Sequence, residues 1–211
     1  MPLLDELLFF LTFLAALGCG LMAGLFFAFS NFVMKALAQL RLESGIAAMQ
    51  FINILVFNPL FMIVFLGAAV ICLLLVIYSF VRWQSPGTVY LMAGSSLYLI
   101  GNYVVTIAFN GPKNNVLGHV DASEPEAVST WRNYIIGWTR WNHVRTITAL
   151  ATAALFTIAL CRWQAVRPRL LAFVARFYPI FIVSDPIKTF ATASEALSMV
   201  SQSSKSFAPR S

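Results

Sequence analysis

The amino-acid sequence predicts an all-α integral membrane protein built as a four-helix bundle. Of its 211 residues, 60% are hydrophobic and only 10% are charged. A soluble domain of this length could not cover so much apolar surface. Four runs are long enough to cross a bilayer, which takes about 20 apolar residues. They are Leu7–Phe29, Pro59–Val81, Val89–Phe109 and Asn142–Cys161.

The first span is interpreted as a retained helix rather than a signal peptide. It is too long for the apolar part of a leader, and Asp5 and Glu6 stand where basic residues are expected. A longer connection follows it, and within this connection Ser44–Val56 places four apolar side chains on one side of a short helix. They are Ile46, Met49, Ile52 and Val56. We therefore expect a short interfacial helix between the first two spans.

The second span has a clear start and a close neighbour. Asn58 can cap the helix, and Pro59 suits the first helical position, where its missing N–H costs nothing. The link to the third span, residues 82–88, is short. The second and third helices are therefore expected to be antiparallel neighbours.

The fourth span is expected to begin with a helical extension. Ser123, followed by Glu124 and Glu126, resembles a helix start, with a capping hydroxyl and acids in the first turn. If this helix continues through Gly137 without a break, three aromatic residues share a face with Arg145. They are Trp131, Tyr134 and Trp138.

The chain is predicted to divide after residue 167. Residues 1–167 would form the transmembrane domain, and residues 168–211 an interfacial helix, at Leu170–Val183, followed by a disordered Ser-rich tail. An even number of spans places both termini on one side of the membrane. We expect that side to be the cytoplasm, although the basic residues near the span ends are almost balanced.

Charge and metal-ligating residues narrow the class of partner. The formal net charge is +6, but the basic residues flank apolar spans, which is typical of contact with anionic lipid headgroups. The three cysteines lie in apolar runs without CxxC spacing, and the chain has only two histidines. We therefore expect the lipid bilayer as a partner, no nucleic acid and no metal site.

Polar residues gather at one end of the predicted bundle. Eight of the nine asparagines belong to the end opposite the termini. The third span also carries a polar stripe at helical spacing, made of Ser95, Tyr98, Asn102 and Thr106. We expect the stripe to face the bundle interior, where these groups either hydrogen-bond neighbouring helices or line a cavity.

The segment of residues 138–145 combines aromatic, amide and cationic groups. Four of its side chains lie within about a third of the circumference of an ideal helix. They are Trp138, Trp141, Asn142 and Arg145, whereas Arg140 and His143 point the other way. Such a group at a membrane boundary indicates either an interfacial anchor or the lip of a buried site.

Small residues recur every fourth position on the first span. They are Ala16, Gly20, Gly24 and Ala28. This ridge permits close helix contact, either inside the bundle or in a homodimer formed through Gly20 and Gly24.

Five segments carry a likeness to a known family: Gly20–Ser30, Gly45–Gln50, Asn58-Pro59, Phe109–Asn115 and Trp138–Arg145. Together they resemble the anthrone-oxygenase-like family of small four-span membrane proteins, over about residues 5–165. Fungal members of that family oxidise an anthrone to an anthraquinone with O2 and no known cofactor. The resemblance implies a cofactor-independent oxygenase for a lipophilic phenolic or anthrone-type compound.

That reaction implies roles for particular residues. It requires a slot for flat rings, a base, and donors or a cation for the oxyanion. The predicted catalytic residues are Arg145 and Asn142, which would hold the oxyanion, and His143, or else His119, which would take the proton. The predicted substrate-binding residues are Trp138, Trp141, Asn110, Asn114, Asn102 and Tyr98.

Two other functions stay open. The small-residue ridge, and the absence of an acid/base pair on one helix face, favour a non-catalytic membrane binding protein or accessory subunit. A transporter is less well supported, because no acidic residue lies within a span to couple protons.

Overall fold

The computed structural model describes residues 2–84 and 87–162, and within these ranges every regular element is helical. The α-helices are α1 Pro2–Ala28, α2 Met34–Gln39, α3 Leu42–Leu55, α4 Pro59–Val81, α5 Thr88–Tyr98, α6 Gly111–Gly118 and α7 Ala127–Arg162. Three π-helical segments, Phe29–Val33, Leu99–Val104 and Thr106–Asn110, connect α1 to α2 and α5 to α6. The predicted all-α fold is confirmed.

Four continuous helical stretches have the length and composition to cross a membrane, as predicted. They are Leu3–Gln39, Pro59–Val81, Thr88–Gly118 and Ala127–Arg162. The second begins where expected, because the Phe61 N–H donates to Asn58 Oδ1 at 3.0 Å and Pro59 occupies the first turn. The other three are longer than their apolar runs, because the same helices continue into polar sequence.

The four long helices pack as a bundle. α1 contacts α4 and α7, and α5 contacts the same two helices. Small and aromatic side chains fill the interior, among them Cys19, Cys72 and Phe156, each 0% exposed. The outer surface carries large apolar side chains such as Leu21 and Ile147, which are 65% and 67% exposed. Such a surface is stable in lipid and costly in water, so the exterior fits a multi-pass membrane protein.

The short helix α3 closes the end of the bundle opposite the N-terminus. Its buried residues Ile46 and Met49 belong to the same apolar cluster as Leu117 of α6. Gln50 Nε2 holds α3 in place by donating to the carbonyl oxygens of Leu117 and Val120, at 2.9 and 3.1 Å. The helix expected between the first two spans is therefore present.

Helix α7 passes through Gly137 without a break. Trp131, Tyr134 and Trp138 are consequently buried on the same face as Arg145, as the continuous helix requires.

The predicted start of this helix at Ser123 is wrong. The N–H and the hydroxyl of Ser123 donate to Asp121 Oδ1 at 2.9 and 2.7 Å, which makes a local turn instead of a helix cap. These bonds, the backbone one foremost, lower the pKa of the Asp121 carboxyl. α7 itself begins at Ala127.

The two glycines of the small-residue ridge of α1 face outward, whereas Ala16 packs against the bundle core. Gly20 and Gly24 are exposed, and a Cβ atom added at either would meet no atom within 4 Å. At these two positions the ridge does not serve contact with the described helices, and the homodimer stays a prediction. The helix expected at Leu170–Val183 and the tail after it lie outside the described residues.

Candidate active site

Arg145 lies in the interior of the bundle, with only 6% of its surface exposed. Its Nη2 donates to Asn142 Oδ1 at 2.6 Å, and its Nη1 donates to Thr106 Oγ1 at 3.3 Å. The guanidinium carbon is 4.2 Å from the ring centroid of Phe26 and 5.2 Å from that of Trp138, distances at which a cation is attracted to an aromatic face. Arg145 is therefore a buried cation and not an interfacial anchor.

Asn142 fixes the position of this cation relative to α1. It is fully buried, and its Nδ2 donates to the carbonyl oxygen of Phe26 and to Ser30 Oγ, both at 2.6 Å. Its Oδ1 accepts from Arg145. Both ends of the amide are thus engaged, so its orientation is determined by its partners.

The π-helical segments supply polar side chains around this pair. Their polar side chains that are buried or half-buried are Ser30, Asn102, Thr106 and Asn110. A π-helical segment shifts the side chains that follow it around the helix axis, and such segments are frequent at functional sites. Two of the four long helices therefore depart from regular α geometry close to Arg145.

A partly enclosed cavity of about 120 Å³ lies beside Arg145. Most of its wall is apolar, and residues such as Phe26, Met49 and Phe65 contribute to it. The polar members of the wall are Arg145, Thr106, Asn114, Asn53 and the indole of Trp138. An apolar cavity with a few convergent polar groups is typical of a small-molecule site.

Two buried donors of this wall lack partners among the described residues. They are Arg145 Nε and Trp138 Nε1. In the same part of the chain no carboxylate pairs with the guanidinium, and neither Asp nor Glu belongs to the cavity wall. Burial of an unpaired donor costs about 1–3 kcal/mol, and of an unpaired charge more. Arg145 and Trp138 both line the cavity, so a ligand oxygen, above all an anionic one, would be stabilised beside the guanidinium.

Tyr134 and Asn114 form a second layer beside the cavity. The Tyr134 hydroxyl donates to Asn114 Oδ1 at 2.9 Å and accepts from Asn53 Nδ2 at 3.5 Å. Its ring lies between those of Trp131 and Trp138, with centroids 5.7 and 6.4 Å away. This stack limits the movement of the Trp138 indole, and it holds Asn114 at the cavity wall.

The predicted residues Asn110, Asn102 and Tyr98 lie near the cavity but do not line it. Asn110 Nδ2 donates to the carbonyl oxygen of Trp138 at 3.2 Å. The Tyr98 hydroxyl donates to the carbonyl oxygen of Phe65 at 3.3 Å, and the Asn102 amide is 2.9 Å from Thr148 Oγ1. The polar stripe thus faces the interior as expected. Tyr98 and Asn102 hydrogen-bond neighbouring helices there.

The structure places Trp141 and His143 apart from Arg145. Trp141 stacks on Phe109, with ring centroids 3.6 Å apart and planes 8° from parallel, and it does not line the cavity. His143 is exposed on the opposite side of α7. His119 is exposed too, with its Nδ1 2.8 Å from the Asn115 carbonyl oxygen.

The residues of the site that were not singled out from the sequence include Phe26, Ser30 and Phe65. Phe26 and Ser30 fall in the segment Gly20–Ser30, which contributed to the family resemblance, so a signal for them existed. Phe65 carried no signal, because a phenylalanine within an apolar span has no distinguishing neighbour. As for metals, the described ranges contain no group of three His, Cys, Asp or Glu side chains that could hold an ion.

Comparison with known proteins gives one finding. The protein family described as anthrone oxygenase matches residues 55–155, which include Asn58-Pro59, Phe109–Asn115 and Trp138–Arg145. No curated protein and no solved structure matches the chain. The cavity residues Arg145, Trp138 and Asn114 all lie within the matched range. Residues 55–155 of the chain are therefore similar to the anthrone oxygenase family.

Proposed function

We propose that the protein is a membrane oxygenase that oxidises a lipophilic phenolic or anthrone-type compound with O2 and without a cofactor. The observation that carries the proposal is the buried Arg145, which borders an apolar cavity and has no carboxylate partner in the described part of the chain. The family match supports the type of reaction.

The reaction needs an electron-rich anion and O2. An anthrone-type substrate loses a proton from its CH2 group and becomes an enolate, with much of the charge on oxygen. The enolate gives one electron to O2, and the two radicals combine to a peroxide anion. After this anion takes up a proton, the hydroperoxide loses water and leaves a ketone. One atom of O2 ends in the product, and the other ends in water.

Arg145 is assigned to the substrate oxygen. A guanidinium at that oxygen stabilises the enolate more than the neutral ketone, so it favours loss of the CH2 proton. Trp138 Nε1 is a second donor to the same oxygen. Asn142 is a positioning residue, because it binds Arg145 Nη2 and joins it to α1.

The CH2 proton is assigned to a solvent base rather than to a side chain of the cavity wall. Among the residues that the structure describes, no Asp, Glu or His side chain lines the cavity, and His143 is exposed on the other side of α7. We therefore give His143 no part in the proposed reaction.

The direct test uses purified protein in bilayer nanodiscs with anthrone and ¹⁸O₂. We expect anthraquinone to form faster than it does with empty nanodiscs, with one ¹⁸O atom in each product molecule. Formation of anthraquinone at the spontaneous rate would refute the proposal for this substrate. A catalysed rate without incorporation of ¹⁸O would exclude the oxygenase reaction.

A second candidate function is that of a non-catalytic membrane binding protein or an accessory subunit of a larger assembly. The outward-facing Gly20 and Gly24 favour it, since a partner helix could approach closely there. Light scattering in mild detergent tests this idea. An assembly that dissociates in Gly24→Leu would support it, whereas a monomer with unchanged mass in that variant would count against it.

A further inference from the structure

We propose that the cavity opens into the bilayer and takes an elongated ligand. One ring of this ligand carries an oxygen that binds Arg145, and an apolar tail passes between α3 and α4 into the lipid. The inference rests on the proposed function for the assignment of the ligand oxygen to Arg145. It adds the route of entry and the class of molecule.

The burial of the wall residues shows where the cavity opens. The inner part of the wall is buried and includes Phe26, Met49, Phe65, Trp138 and Arg145. The outer part is half-buried or exposed and consists of residues where α3 ends and α4 begins. It includes Val56, Phe57, Phe61 and Met62. The mouth of the cavity is therefore at the α3–α4 junction.

The surface around this mouth is strongly apolar. Its large side chains are between 64% and 74% exposed. They are Phe51, Ile54, Leu55, Leu60 and Ile63. Two of them, Leu60 and Ile63, belong to the membrane-spanning helix α4. A patch of this composition is stable against acyl chains and costly in water, so the mouth opens toward lipid.

The size of the cavity limits what it can hold. Its volume is about 120 Å³, and an apolar cavity of about 150 Å³ in another protein binds one benzene molecule. The cavity as a whole thus suits one ring. Any larger remainder of the ligand must lie in the mouth or beyond it.

The distribution of polar and apolar residues along the cavity indicates how the ligand is oriented when bound. The buried residues Arg145 and Trp138 are at the inner end, whereas the mouth is lined by Val56, Phe57, Phe61 and Met62. A membrane-soluble phenol or quinol with an alkyl tail matches this order, with its oxygen inside and its tail in the bilayer.

The test compares the binding of 4-methylphenol and 4-octylphenol to the full chain in nanodiscs without O2. Concentrations are expressed as the mole fraction of probe in the bilayer, which removes the difference in membrane partitioning. We expect the two dissociation constants to agree within about threefold, because the octyl tail lies in lipid before and after binding.

Variants at the mouth make the test specific. Met62→Trp fills the mouth and should weaken binding of 4-octylphenol by about tenfold or more, while 4-methylphenol changes less than about threefold. Ile63→Trp is the matched control, because this adjacent residue is exposed but does not line the cavity. It should leave both probes unchanged. Val56→Trp, at the end of α3, replaces Met62→Trp if that variant does not fold.

Three outcomes would overturn the inference. They are no binding of either probe, binding of 4-methylphenol more than about tenfold tighter than that of 4-octylphenol, and equal effects of Met62→Trp and Ile63→Trp. Because O2 is absent, the result does not depend on turnover. Binding as expected, with no oxidation of anthrone in air, would refute the oxygenase function and leave the ligand site in place.

Discussion

Replacing Arg145 by methionine removes the guanidinium but keeps a long, flexible side chain. The change leaves Asn142 Oδ1 without the donor that now lies 2.6 Å away, which costs about 1–3 kcal/mol. It also removes a buried cation that has no carboxylate partner in the described residues, and this relieves a desolvation cost of several kcal/mol. We therefore expect a folded protein whose stability is close to that of the wild type.

The effect on activity should be much larger. A hydrogen bond to a charged group contributes about 1.5–3 kcal/mol, and each 1.36 kcal/mol corresponds to about a factor of ten. If the guanidinium holds the developing oxyanion, Arg145→Met should lower the catalysed rate about 10- to 100-fold. Arg145→Lys keeps the charge but cannot reach both Asn142 and Thr106 in the planar geometry of arginine, so an intermediate rate is expected.

Oxidation of anthrone by protein in nanodiscs measures this effect, after subtraction of the rate with empty nanodiscs. Arg140→Met is the matched control, because Arg140 is an exposed arginine on the same helix. It should retain the wild-type rate. The reasoning is refuted if Arg145→Met keeps that rate while folded, or if the two arginine variants lose activity equally.

Three further predictions follow from the contacts of α7. Asn142→Ala should lower the melting temperature, because it breaks two buried hydrogen bonds, one to Phe26 in α1 and one to Ser30 in the π-helical segment that follows. Together these bonds contribute about 2 kcal/mol or more. An unchanged melting temperature, measured by circular dichroism in detergent, would contradict this prediction. His143→Ala should oxidise anthrone at the wild-type rate. A rate lower by about tenfold or more would instead identify His143 as the base that takes the CH2 proton. Gly101→Ala should destabilise the protein, because the added Cβ atom would collide with the side chain of Thr148. Gly20→Ala is the control and should leave stability unchanged, because a Cβ atom there meets no atom within 4 Å. Equal melting temperatures of the two variants would contradict this packing.

The sequence was most informative where local chemistry determines structure. Asn58 and Pro59 predicted the start of α4, since a side-chain cap and a proline in the first turn act within a few residues. Whether α7 continues through Gly137 was left open, and helical periodicity predicted only which face the side chains would share with Arg145 if it did. By contrast, the prediction that α7 starts at Ser123 was wrong. The Ser123 hydroxyl can hydrogen-bond either to the first turn of a helix or to Asp121, and only the local backbone path decides between them.

The candidate site was less accessible to sequence reasoning. Helical spacing predicted that Arg145 and Trp138 share a face, but it did not decide between an interfacial anchor and a buried site. The stacking of Trp141 on Phe109 could not be predicted, because helical spacing gives a direction but not the partner found there. The π-helical segments carry no sequence signal that we recognise, yet they contain Ser30 and Thr106, which contact Asn142 and Arg145.

The central claim is that the Arg145 guanidinium binds the oxygen of a ring in the cavity. Absorbance of bound 4-nitrophenol measures this directly, because phenol and phenolate absorb at different wavelengths. At one fixed pH, wild-type protein should hold the bound probe with a phenolate-to-phenol ratio at least about tenfold higher than Arg145→Met does. Equal ratios in the two proteins, with the probe bound to both, would contradict the claim.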